Sequence, residues 1–152
     1  MTGASLAPGR GLHWAVAGAA AVALASGFAL TRGVGALPVL ALHGAAGATA
    51  GGLSLWRLGR WLGGHRAQAA LFPRLAGAVH LALAVIPVGM MASGVGMLVL
   101  TGAALLPADA PLPDFGAVPP AVPHGLGARV LIALVALHGA AALLHGWPKR
   151  VP

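Results

Sequence analysis

The chain of 152 residues contains no cysteine, no tyrosine and only two acidic residues, Asp109 and Asp114. Without cysteine there is no disulfide, no zinc–thiolate site, no iron–sulfur cluster and no covalently attached c-type haem, which needs Cys-x-x-Cys-His. Charge of either sign is scarce. Asp, Glu, Lys and Arg together make up 7% of the residues, against about 25% in an ordinary soluble domain. So little charge excludes an ordinary water-exposed surface and points to a chain solvated by lipid.

What is present is apolar: 59% of the residues are hydrophobic. Four apolar runs stand out, at about 11–30, 37–58, 75–100 and 123–147. Each reaches the roughly 20 residues that an α-helix needs to cross the hydrocarbon core. In lipid every backbone polar group must be paired within the segment, so these runs are predicted as helices; barrel strands would be about half as long and alternating. The expected fold is all-α, an integral membrane four-helix bundle forming one domain over residues 1–152. Pro87 falls inside the third run, where a kink is expected. Gly47 and Gly51 have the small-xxx-small spacing of close-packed membrane helices.

The formal charge of +7 reads as membrane topology rather than nucleic-acid binding, because the basic residues sit at the ends of apolar runs. Arg10, Arg57, Arg60, Arg66, Arg74, Lys149 and Arg150 fall on one side, and Arg32, Asp109 and Asp114 on the other. The positive-inside rule then places both termini and the 57–74 loop in the cytoplasm, and the Pro-rich 101–123 loop outside with little regular structure. A competing reading takes the first run, with its ALASG segment, as a secretory signal peptide. The length of the run and the presence of His13 argue against it.

Seven histidines occur, at 13, 43, 65, 80, 124, 138 and 145. His65 lies in a basic loop and is expected to be solvated. The other six lie in or at the ends of apolar runs, where an ionisable group is a functional hypothesis by default; the bland alternative is a neutral ring bonded to a neighbouring helix. Topology assigns their depth. His43 and His124 fall near the outer face, and His13 and His138 near the inner one. His124 and His138 are 14 residues apart, close to four whole turns, which puts them on one helix face about 21 Å apart. Two facing imidazoles at each of two depths suggest bis-histidine haem, seated in a bundle core. Zinc would want four donors converging at one point. Small residues flank each candidate ligand: Gly44 and Gly47, Ala17, Gly127 and Ala128, and Ala142.

The stretches RGLHWAVA, LHGAAGATAGGLSLWRLGRW, HLALAVIPVGMMASG and PHGLGARVLIALVALHGAAALLH together resemble the four helices of the bacterial cytochrome b561 family over residues 9–147. The resemblance implies a four-helix membrane protein with two non-covalent b haems. It carries the family's ligand positions onto His13 and His138 for the inner haem and onto His43 and His124 for the outer one. The chain departs from the family pattern at Pro123 and Gly125, where Trp and an acidic residue are usual. It departs again at Ala84 and Met91 in the third helix, in place of Tyr and Pro. These departures bear on substrate contacts and leave the four histidines intact. His80 and His145 are read as rival inner ligands, as neighbours of a propionate or quinone, or as interfacial. Arg129 is read as snorkelling to the outer interface or pairing with a propionate.

With both irons held by two histidines, the chemistry left is outer-sphere electron transfer. The resemblance implies transfer between a quinone pool and a small donor, superoxide in some members, or a redox protein. A catalytic role would be that of a quinone-linked oxidoreductase in the bacterial inner membrane. A second expectation is a cytochrome b subunit serving a quinone-linked dehydrogenase or hydrogenase. A different class is a histidine-relay transporter or channel, which the lack of any intramembrane carboxylate argues against.

Overall fold

A computed structural model describes residues 8–34, 36–62, 74–107 and 109–146. It is all-helical there. Four long helices run in order: α1 (Pro8–Thr31), α2 (Leu37–Leu62), α3 (Arg74–Thr101) and α4 (Ala121–Gly146). Each begins within three residues of its sequence-predicted start; α2 runs four residues past its predicted end. The N-terminal segment before Pro8, the loop holding His65 and Arg66, the tail after Gly146 and the side chain of His145 lie outside the described residues.

The ends of the helices follow from local chemistry. Gly33 takes a left-handed φ of 69°. Its N–H reaches the Leu30 carbonyl at 3.1 Å, and the Val34 N–H reaches the Ala29 carbonyl at 3.0 Å. This is the paired-bond Schellman termination, and it satisfies carbonyls that the helix end leaves open. Ala36 then accepts from Val39 and Leu40 to start α2. Pro38 sits in that first turn, where its missing N–H costs nothing. Gly102 ends α3 with φ 68°.

The loop that follows α3 is more structured than its proline content suggests. It contains two short 3₁₀ turns, Ala103–Leu105 and Phe115–Ala117. Asp114 caps the second by accepting from the Gly116 N–H at 2.8 Å, the local side-chain-to-backbone bond that makes Asp a turn former.

Three helices, α1, α3 and α4, are long and apolar enough to cross a membrane, over Arg10–Thr31, Gly77–Thr101 and Ala121–Leu144. The apolar runs predict four. α2 is long enough, with 26 residues, but its composition falls short. Its middle, GAAGATAGGLS, spends length on glycine, alanine and hydroxyl residues rather than on large aliphatic ones. Those small residues are its packing face: Ala46, Ala50, Gly51 and Ser54 are buried.

The helices pack in chain order, α1 on α2, α2 on α3 and α3 on α4. Small residues permit the close approach. A Cβ at Gly51 would lie 2.5 Å from the Met91 Cβ and 2.9 Å from the Pro87 carbonyl oxygen, so α2 and α3 meet backbone to backbone there. Such contacts hold membrane helices together through van der Waals packing, since lipid removes the hydrophobic drive. The large side chains point outward instead. Trp14, Phe28, Val99, Leu126 and Leu144 are among the many exposed apolar residues. That inversion of the soluble pattern marks a lipid-facing surface. Trp56 and Trp61 are exposed at the end of α2, and the Arg60 guanidinium lies over the Trp56 ring. Trp and Arg together are the side chains that anchor a helix at a membrane interface.

Candidate functional site

The histidines gather into two groups. His43 on α2 faces His124 on α4, with ring centroids 5.9 Å apart and planes at 68°. His13 on α1 faces His138 on α4 at 6.1 Å and 58°. His80 on α3 also reaches His138, edge-on at 5.1 Å, and Trp14 lies edge-on to His13 at 5.3 Å. His138 thus has imidazoles from two different helices beside it.

The His43–His124 pair is the better defined. The His43 Nδ1 lies 2.8 Å from the Ala23 carbonyl oxygen on α1 and 3.5 Å from the Ser26 hydroxyl. The His124 Nδ1 lies 3.1 Å from the Met90 carbonyl oxygen on α3 and 3.0 Å from the Ser93 hydroxyl. A carbonyl oxygen only accepts, so each Nδ1 carries the hydrogen and donates it. Each Nε2 is then left with a lone pair, the form of imidazole that binds a metal.

The centroid separations of 5.9 and 6.1 Å bring two imidazoles together at each of two places in the fold. Among the described residues no three His, Cys, Asp or Glu side chains converge to hold a bare ion. Two-donor sites of this kind suit a metal whose remaining positions are filled by a macrocycle.

Two apolar cavities lie between the helices. One, of about 450 Å³, is lined by Leu37, Leu40, Ala41, Gly44, Leu98 and Leu106 among others. The other, of about 280 Å³, lies between α3 and α4 at Val85, Ile86, Met90, Pro123 and Gly127. Gly44 and Gly47 have open space where a Cβ would be, so they do leave room next to His43. Gly127 does not. A Cβ there would meet the Met90 Cγ at 3.0 Å, which makes Gly127 a contact between α3 and α4. Arg129 is exposed on α4.

Sequence reasoning missed Ser26, Ser93 and Gly27. A signal was available: ALASG at 23–27 recurs as MMASG at 90–94. In each copy the carbonyl that takes the histidine proton is three residues before the serine and four before the glycine.

Long apolar helices with paired imidazoles between them mark a multi-pass helical membrane protein. The chain belongs to the prokaryotic cytochrome b561 family, whose model matches residues 7–151. Membership makes it a membrane cytochrome of electron transport and implies haem b as its cofactor. No curated protein and no solved structure matches the chain.

Proposed function

We propose that the chain is a di-haem b cytochrome that carries electrons across the bacterial inner membrane, between a quinone pool on one side and a small donor or redox protein on the other. In this reading all four helices cross the membrane as one bundle. Both termini are cytoplasmic. His43 and His124 hold the haem nearer the outer face, and His13 and His138 the haem nearer the inner face.

The observation that carries the reading is the pair of tied-off Nδ1 atoms on His43 and His124, 2.8 and 3.1 Å from carbonyl oxygens of neighbouring helices. A histidine that merely satisfied itself in an apolar bundle would have no reason to stand 5.9 Å from a second ring with, among the described residues, hydrogen bonds at Nδ1 alone. The two ring separations and the open space at Gly44 and Gly47 support it further.

When bound, haem b supplies reversible one-electron redox chemistry. The residues do the rest. The four histidines would hold and orient the macrocycles, and the exposed apolar side chains of the helices, Phe28 and Leu126 among them, face lipid rather than water. Burial, and the hydrogen bonds behind His43 and His124, would set the potential. Asp109 and Asp114 are the only charged residues of the 102–120 loop. Such a loop offers no attraction to an anion, so it suits a neutral or cationic donor better than superoxide.

The test is a purified, detergent-solubilised chain. The expected result is a reduced-minus-oxidised b-type spectrum and two acid-extractable haems per chain. A colourless protein overturns the proposal.

A further inference from the structure

We propose that the two Ala-Ser-Gly segments, Ala25–Gly27 in α1 and Ala92–Gly94 in α3, are positioning elements for the His43–His124 pair. Each fixes Nδ1 as the protonated nitrogen of the ring seated on it and so reserves Nε2 for iron. The inference rests on the haem reading above.

The two segments belong to a longer repeat. HWAVAGAAAVALASG at 13–27 aligns without gaps on HLALAVIPVGMMASG at 80–94, with His, Ala, Ala, Ala, Ser and Gly at matching positions. α1 and α3 thus carry one pattern twice. The rings they receive also come from equivalent places, because each belongs to the next helix of the chain: α2 supplies His43 to α1, and α4 supplies His124 to α3. The partners are the same in both. A ring comes close enough to the preceding helix for Nδ1 to reach a backbone carbonyl, Ala23 at 2.8 Å and Met90 at 3.1 Å. The serine three residues on turns its hydroxyl back to its own helix: Ser26 onto the Val22 and Ala23 carbonyls at 2.7 and 3.2 Å, Ser93 onto the Met90 carbonyl at 3.0 Å. With its hydrogen so engaged, the serine oxygen presents a lone pair to Nδ1.

The glycine makes the approach possible. A Cβ at Gly27 would meet the His43 Cε1 at 2.8 Å and Nδ1 at 3.1 Å, closer than real contacts allow. A Cβ at Gly94 would meet the His124 Cε1 at 3.4 Å. The α1 seat is therefore the tighter one. The serine contributions rank the other way, since Ser93 stands 3.0 Å from its ring nitrogen and Ser26 stands 3.5 Å.

A ring N–H that donates to a strong acceptor makes the opposite nitrogen more basic, fixes the tautomer and stabilises the oxidised metal. Removing the acceptor should raise the potential of the haem that ring holds, and crowding the seat should turn the ring. These consequences differ from those of a serine or glycine needed only for folding.

The experiment combines redox titration and low-temperature electron paramagnetic resonance on the haem-loaded chain with ¹⁵N-histidine NMR on the haem-free chain in detergent. His43→Ala identifies which signals belong to this pair. Ser93→Ala is expected to raise that haem's midpoint potential and leave the other's in place. Ser93→Thr, which keeps the hydroxyl, restores it. Gly27→Ala is expected to shift the g-values of the same haem more than Gly94→Ala does. Gly59→Ala, with open space at its Cβ, shifts neither. NMR is expected to find the Nδ1–H tautomer for His43 and His124. The inference is overturned if both haems are present and these variants leave potential and g-values unchanged, or if either ring is an Nε2–H tautomer. A chain that binds no haem overturns the proposed function instead, and the tautomers then decide this inference alone. Should Gly27→Ala fail to fold, Ser93→Ala and the tautomers of the unaltered chain decide between the two outcomes.

Discussion

Gly51 and Met91 occupy the same space from opposite helices: the Cβ that Gly51 lacks would fall 2.5 Å from the Cβ of Met91 and 2.9 Å from its sulfur. The contact sets how near α2 comes to α3, and the carbonyl of Pro87 lies at the same point. Gly51→Ala must push the two helices apart, because backbone cannot step aside as a flexible side chain can. The expected cost is about 1–3 kcal/mol, read as a lower thermal midpoint in detergent. Gly52→Ala, one residue on with nothing within 4 Å, is expected to be neutral or slightly stabilising, since alanine is the better helix former. Equal effects at both positions would show that the close approach does not matter.

The ligand assignment predicts a pattern of haem loss. His43→Ala and His13→Ala should each leave one haem per chain. His43→Ala with His124→Ala should also leave one, because both changes strike the same pair. His43→Ala with His13→Ala should leave none. Pyridine haemochrome quantification reads all four. One haem surviving in the last variant would mean that His80, whose ring lies 5.1 Å from His138, can replace His13.

The absence of cysteine makes sidedness directly measurable, because any introduced thiol is unique. A cysteine at Ala110 should react with an impermeant maleimide added outside intact cells. One at Gly59 should react only after the membrane is opened. The reverse pattern would invert the topology drawn from the arginines.

Gly33 ends α1 in a left-handed conformation, φ 69°. Gly33→Ala should cost about 1–2 kcal/mol through Cβ strain alone, with no effect on haem content. Loss of haem as well would mean that the α1–α2 turn sets the distance between His43 and its seat.

Much of this architecture is legible in the order of residues, for physical reasons. Helix positions are readable because membrane solvation leaves only long uninterrupted apolar runs. The 14-residue spacing of His124 and His138 is readable because helical period is fixed. α2 reads in sequence as simply apolar. Its length is right, but its small residues serve packing more than solvation. Gly127 reads as clearance beside His124, whereas in the fold it is a contact with Met90. A glycine's missing side chain has no visible direction in a sequence, so clearance and close packing look alike. The seats at Ser26 and Ser93 escape a sequence reading for a related reason. They act on a ring from a different helix, and which carbonyl that ring meets depends on rotation and depth.

The helices neighbour one another in chain order, yet the histidine pairs join partners that are not consecutive, α2 with α4 and α1 with α4. Among the described residues the main seams follow chain order, and the ring pairs are what link α4 to α1 and α2. On the proposed ligand assignment, a flat guest entering sideways from the lipid would not have to prise apart the seams at Gly51 or Gly127. Biogenesis would then run in two separable stages, insertion of the helices first and loading afterwards, with the guest itself as the clasp.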